Sequence, residues 1–357
     1  MTADFRRGDS VRVMIVDDST PVRSLVSRWL EGEAGITVVG TAANGREALD
    51  LLDVLRPDIV LLDVDMPVLD GLGSLPPLLA RRPDLSVIVV STLTRPNAQV
   101  TLKCLALGAV DYLPKPEARP DAAGTSAFRR ELGFKLKELA ARHLKGPTAG
   151  KPVTPHLALR ASPTRPRVVG IGASTGGPNA LAQALPGLAG VSALVPILIV
   201  QHMPELFTRV LAEQLRIKTG LAVAEAEDGE PIEAGRVYLA PGGCHMGITA
   251  VSDTGATIRL DRGEPVHHCR PAIDILFADL ARVFGPASLG IVLTGMGRDG
   301  TDGAAAIVGA RGTIFAQDEA TSTIWGMPGS VVRAGLARRV LPLGNIAAAV
   351  GSAVGRA

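Results

Sequence analysis

The chain has 357 residues, of which 46% are hydrophobic and only 3% aromatic, and 37 Lys+Arg nearly balance 35 Asp+Glu. That length holds two ordinary domains, each able to bury its own core. The near-neutral charge excludes a broad basic field for nucleic acid or acidic lipid. Three widely spaced cysteines, Cys104, Cys244 and Cys269, offer neither metal-ligand spacing nor a disulfide framework. They fit a reducing, cytoplasmic compartment.

VRVMIV (11–16), ITVVG (36–40), DIVLL (58–62), SVIVV (86–90) and VDYL (110–113) are apolar runs of strand length, separated by amphipathic segments. Five such repeats predict a doubly wound (βα)5 domain over residues 1–120, with ligands at the carboxyl ends of its strands. Residues 121–166 read as a linker: turn-rich and Pro-rich stretches flank a charged amphipathic helix, FRRELGFKLKELAARHL. That helix could be the last element of the first domain, a spacer, or both.

Residues 167–357 form the second domain. VVGIG (168–172), VPILIV (195–200), RVYLAP (236–241), ATIRL (256–260) and LGIVLTG (289–295) are its strand candidates. Short strands and turn pairs over about 221–265 predict a small antiparallel hairpin part on a mainly parallel α/β domain. Ala180–Val200 carries no charge and approaches membrane-spanning length. Its Pro186, Gly187, Gly190 and Pro196 make it read instead as helix, loop and buried strand, so no direct membrane insertion is expected.

Asp17 and Asp18 follow the first strand, Asp63 ends the third, Ser91 ends the fourth and Lys115 follows the fifth. A parallel sheet brings them to one edge. Three carboxylates there repel one another unless an ammonium and a cation such as Mg²⁺ sit among them, and a carboxylate so placed can attack a phosphoryl donor. Taken singly, each aspartate could be an acidic helix cap. As a set, VDDS, LLDVDMPVLDG, VVST and Lys115-Pro116 resemble response-regulator receiver domains over residues 11–116. The resemblance implies Asp63 as phosphoacceptor, Asp17, Asp18 and Asp63 as the Mg²⁺ site, and Ser91, Tyr112 and Lys115 as the switch residues. It also implies a cis bond before Pro116 and a chemotaxis histidine kinase as phosphodonor.

In the second domain VVGIG runs into Ala173-Ser174-Thr175-Gly176-Gly177. The spacing Gly172-x-Ser174-x-Gly176 is that of a nucleophile elbow, where a serine sits on a tight strand-to-helix turn. GIGASTGG fits G-x-G-x-x-G at no register, and no acid ends the next strand, so a dinucleotide turn is disfavoured; plain turn chemistry remains open. His202 and Asp299 each follow another apolar strand, which adds a base and its orienting carboxylate. The order Ser…His…Asp differs from that of α/β-hydrolases. The glycine-rich TGMGRDGTDGA supplies backbone N–H groups for an oxyanion.

IGASTGGP, QHMP, TGMGRDG and AQDEATSTIWGMP closely resemble the catalytic domain of bacterial chemotaxis protein-glutamate methylesterases, over about 167–354. The resemblance implies Ser174 as nucleophile, His202 as general base and acid, Asp299 as its orienter and the Met296 N–H as oxyanion donor. A second donor at Thr175 follows from the helix start. It further implies hydrolysis of glutamyl methyl esters, and deamidation of glutamines, on methyl-accepting chemoreceptors, under control of an inhibitory receiver and with no cofactor for the ester chemistry. One departure stands in His267-His268-Cys269-Arg270-Pro271, where the family leads one to expect histidine in place of Cys269; a reactive-cysteine role there is the weaker reading. The alternative to an enzyme is a response regulator whose output domain only binds a protein partner.

Overall fold

The computed structural model describes residues 10–115, 122–145, 164–250 and 255–355, and the chain divides into two compact units, Met1–Pro147 and Thr148–Ala357. In the first, β1 (Val11–Val16), β2 (Ile36–Ala42), β3 (Ile59–Asp63), β4 (Ser86–Ser91) and β5 (Asp111–Pro114) form one parallel sheet in the order β2-β1-β3-β4-β5. Every residue of β3 and β4 is buried, as unbroken apolar runs covered on both faces require. The helices Gly45–Leu55, Gly71–Arg81 and Arg95–Ala106 start at Asn44, Asp70 and Thr94, whose side chains accept from backbone N–H groups of the first turn. Strand order reverses between β1 and β3, opening a crevice at their carboxyl ends, where Asp17 and Asp63 stand.

The helix Ala122–Lys145 belongs to this unit as its last element. Leu132, Leu136, Leu139 and Ala140 are buried, and Phe128 packs on Trp29 with ring centroids 5.9 Å apart. Its apolar stripe faces β1, β2 and β5. Pro116 and the bond before it lie outside the described residues.

The second unit carries a seven-stranded sheet built from β6 (Val168–Ala173), β7 (Ile197–Gln201), β8 (Ala222–Glu225), β9 (Arg236–Leu239), β12 (Ser288–Val292), β13 (Thr313–Gln317) and β14 (Arg339–Leu341). Its order is β14-β13-β12-β6-β7-β9-β8, and every pairing is parallel. β10 (His245–Ala250) and β11 (Ala256–Asp261) pair antiparallel, in a separate two-stranded sheet. The segment 221–265 is therefore not all hairpin: β8 and β9 join the parallel sheet at its edge. Their connection is tied by the Tyr238 hydroxyl, which donates to the Pro231 carbonyl at 2.7 Å and accepts from the Glu233 N–H at 2.9 Å. The uncharged stretch from Ala180 resolves into short helical turns followed by β7. Among the described residues no helix is long and apolar enough to cross a membrane.

The centre of this sheet is packed unusually close to the helix Ile273–Phe284. A Cβ on Gly170 would collide with Leu280 and Phe277, and one on Gly172 would sit 2.7 Å from Ile273. Glycine at alternate positions of β6 thus lets that helix lie flat on the sheet and fixes where its N-terminus falls. Phe277, fully buried against Gly170, Gly290 and Gly303, is the anchor. Phe277→Ala is expected to remove about 3–5 kcal/mol from the urea unfolding of this unit, followed by Trp325 fluorescence, and to leave receiver phosphorylation intact.

Candidate active site

β6 is where strand order reverses in the second unit, with β7 on one side and β12 on the other. Register pairs Ala173 with Gln201, so Ser174 and His202 are the next residues on adjacent strands, which run about 5 Å apart. The His202 N–H donates to the Ala173 carbonyl at 3.2 Å. After Ser174 the chain turns through Gly176 at φ +76° and enters the helix Gly177–Ala184. A Cβ on Gly176 would collide with Thr323, so both the left-handed backbone and the space demand glycine there.

Other groups lock this elbow. The Gln201 amide donates to the Ser174 carbonyl at 2.9 Å, and the Ser174 N–H donates to Thr294 O at 3.0 Å. The Thr294 hydroxyl donates to Thr175 O at 2.9 Å and accepts from the Ile324 N–H at 3.0 Å. The loop after β12 lies directly on the serine, since a Cβ at Gly295 would stand 2.8 Å from Ser174 Cβ. Met296 is buried next in line, and its N–H donates to no protein acceptor among the described residues.

His202 and Asp299 meet directly, with Nε2 2.7 Å from Oδ2. Asp299 is 2% exposed, and its remaining capacity is filled by backbone: Ile273 N–H donates to Oδ2 at 2.7 Å, while Asp274 and Gly300 N–H groups donate to Oδ1 at 3.0 and 2.9 Å. Two of these donors are the first residues of the helix Ile273–Phe284, whose positive end favours the anion. Burial pushes the Asp299 carboxyl up, but the hydrogen bond and charge of His202 and these N–H groups outweigh it, and its pKa lies below the ordinary value. For His202 burial favours the neutral ring. The Asp299 hydrogen bond, then contact with Cys269, outweighs burial and pushes the pKa up to about 10. The second ring nitrogen, Nδ1, lies 3.5 Å from Cys269 Sγ. Among the described residues no hydrogen bond joins the Ser174 hydroxyl to the ring.

In the receiver pocket Lys115 Nζ lies 2.8 Å from Asp17 and 2.7 Å from Asp63. Carboxylate oxygens of Asp17, Asp18 and Asp63 lie within 4.8 Å of one another. Burial, with the Asp17 charge added, outweighs Lys115 and pushes Asp63 up to about 6. One ammonium among three carboxylates leaves a net negative pocket, and this oxygen-only donor set fits Mg²⁺. Ser91 is buried, with its hydroxyl 3.3 Å from Thr92 O. Tyr112 is buried under the Lys135 ammonium, 5.2 Å from the ring centroid.

A family model described as CheB methylesterase matches residues 169–350, and one described as response regulator receiver domain matches 13–123. This chain belongs to the CheB methylesterase family. It is 48% identical, over 94% of its length and 96% of the relative's, to a protein-glutamate methylesterase/protein-glutamine glutaminase of Caulobacter vibrioides. A protein of the same name from Rhodopseudomonas palustris is 44% identical over 95% of this chain and 92% of its own. The crystal structure of the Thermotoga maritima CheB methylesterase catalytic domain superposes with a TM-score of 0.50 at 39% identity, covering 52% of this chain and 98% of that one.

Sequence reasoning missed Gln201, Thr294 and the helix start at Ile273–Asp274, all of which position rather than react. Gln201 abuts the His202 signal, but its role depends on a turn 27 residues away. The His202 pKa has a consequence for stability. A pKa raised from the ordinary 6.5 to about 10 contributes stability that is complete below 6.5 and is lost as pH rises through 10. The calorimetric Tm of the second unit is therefore expected to fall between pH 7 and pH 10.5, and His202→Gln to flatten that slope.

Proposed function

We propose that Ser174, His202 and Asp299 act as a nucleophilic triad on glutamyl methyl esters of chemoreceptors. The observation that carries this reading is the buried Asp299–His202 pair set beside an elbow serine on the adjoining strand. Asp299 fixes Nε2–H, so the ring acts as base in the form that has given up its Nδ1 proton, and in that form Nδ1 takes the serine proton. Ser174 Oγ attacks the side-chain carbonyl carbon, and its proton passes to Nδ1. The tetrahedral oxyanion is met by the Met296 N–H and by N–H groups at the elbow, including that of Thr175. Collapse expels methanol, which takes the ring proton. Water, deprotonated by the same nitrogen, then hydrolyses the acyl-serine to glutamate and free serine. A glutamine side chain follows the same course with ammonia leaving, in keeping with the paired activities in the relatives' names. A purely protein-binding output would leave this buried imidazole–carboxylate pair without a task.

Control belongs to the receiver. Asp63 is the proposed phosphoacceptor, Lys115 neutralises the added charge, and Ser91 and Tyr112 relay its arrival. Asp17, Asp18 and Asp63 would hold Mg²⁺, which supplies charge neutralisation for phosphoryl transfer. A cytoplasmic chemotaxis histidine kinase is the phosphodonor class that fits.

Ser174→Ala is expected to reduce methanol release from methylated receptor membranes by at least about 10³-fold, with unchanged folding and phosphorylation. Activity within about tenfold of the parent would refute the nucleophile. Phosphoryl uptake from a small phosphodonor is expected to stop in EDTA or in Asp63→Asn, while basal esterase activity persists.

A further inference from the structure

Beside the His202–Asp299 pair lies a cluster that ester hydrolysis does not use. His267 sits in a tight turn closed by reciprocal backbone hydrogen bonds between Val266 and Cys269, 3.1 and 2.8 Å long. Asp274 stands in the first turn of the helix Ile273–Phe284, and Asp302 in the first turn of the helix Thr301–Gly309. His267 Nε2 lies 3.2 Å from Asp274 Oδ2 and 3.8 Å from Asp302 Oδ2, and the three ligand atoms fall within 4.8 Å of one another.

The informative atom is Asp274 Oδ2. The residue is 8% exposed, and its other oxygen accepts the Gly303 N–H at 2.6 Å. Oδ2 is buried and receives no hydrogen bond, and it stands 3.2 Å from the His267 imidazole. A buried carboxylate oxygen without a donor is costly unless a cation meets it. Metal–ligand bonds of about 2.0–2.2 Å in tetrahedral geometry place neighbouring ligands roughly 3.4 Å apart, between the two separations seen here. Imidazole with carboxylates selects zinc-like ions over Mg²⁺ and Ca²⁺, which take oxygen alone. Asp302, 63% exposed at its side chain, keeps the site open to solvent; it also pairs with Arg298, 2.9 Å away, which a metal would have to displace or share.

We propose that His267, Asp274 and Asp302 bind one divalent transition-metal ion of the zinc class, apart from the receiver pocket. Its place in the fold gives it a consequence. The Asp274 N–H holds Asp299, and the His267 turn carries Cys269 against His202 Nδ1. A bound ion would brace the turn to the two helix starts that frame the imidazole–carboxylate pair.

Zinc uptake by the full-length chain is measured by competition with a chromogenic chelator, in excess Mg²⁺ and in an Asp63→Asn background that weakens the receiver pocket. The proposal expects one zinc per chain, an affinity lowered at least tenfold by His267→Gln and by Asp302→Asn, and a zinc-dependent rise in the Tm of the second unit that both variants abolish. Cys269→Ala is expected to keep the site. No zinc uptake, a smaller loss in either ligand variant, or loss of binding in Cys269→Ala, as a Cys269–His202 site would give, overturns it.

Discussion

The hydrolase unit depends on one buried contact, the carboxylate of Asp299 against the imidazole of His202. A carboxylate this deep costs several kcal/mol of lost hydration unless its lone pairs are filled. Here three backbone N–H groups and one ring N–H fill them. Two of those N–H groups exist only because the helix Ile273–Phe284 begins where it does, and that start is set by how closely the helix lies on β6. Gly170 and Gly172 permit the approach, and Phe277 holds it. A chain of steric requirements thus runs from small residues in a central strand to the protonation of one imidazole.

The two units solve related problems with the same architecture. Each gathers its chemistry at the carboxyl ends of parallel strands beside the point where strand order reverses. In the receiver, three carboxylates crowd round one lysine in a pocket that fits a divalent cation; in the hydrolase, a single carboxylate is surrounded by donors. Burial raises Asp63 in the first case and is outweighed at Asp299 in the second. The difference lies in donor count, since Asp63 has Lys115 and one long contact from the Asp65 N–H at 3.5 Å.

Much of this was legible in the sequence. Unbroken runs such as VLL in β3 and VIVV in β4 announced covered strands, and Asp17, Asp63, Lys115, Ser174, His202 and Asp299 could be placed because strand ends are marked by abrupt loss of apolar character. β14 was missed because three residues, RVL, carry no periodicity, and β13 because TIFAQ follows a helix with little break. β8 was not singled out because four residues, AVAE, carry little pattern, and its pairing direction is set by a distant partner. The Gln201 brace, the Ile273 and Asp274 N–H groups on Asp299 and the approach of Cys269 to Nδ1 are contacts between segments 25 to 67 residues apart, beyond what local pattern encodes.

The buried Asp299–His202 contact shows itself in the protonation of His202. Nitrogen-15 NMR titration of its ring follows that directly. The structure predicts that the imidazole keeps its proton to about pH 10, with a hydrogen-bonded Nε2 proton, and that Asp299→Asn lowers its pKa. A ring that titrates near 6.5 in the parent and is indifferent to Asp299→Asn would contradict it.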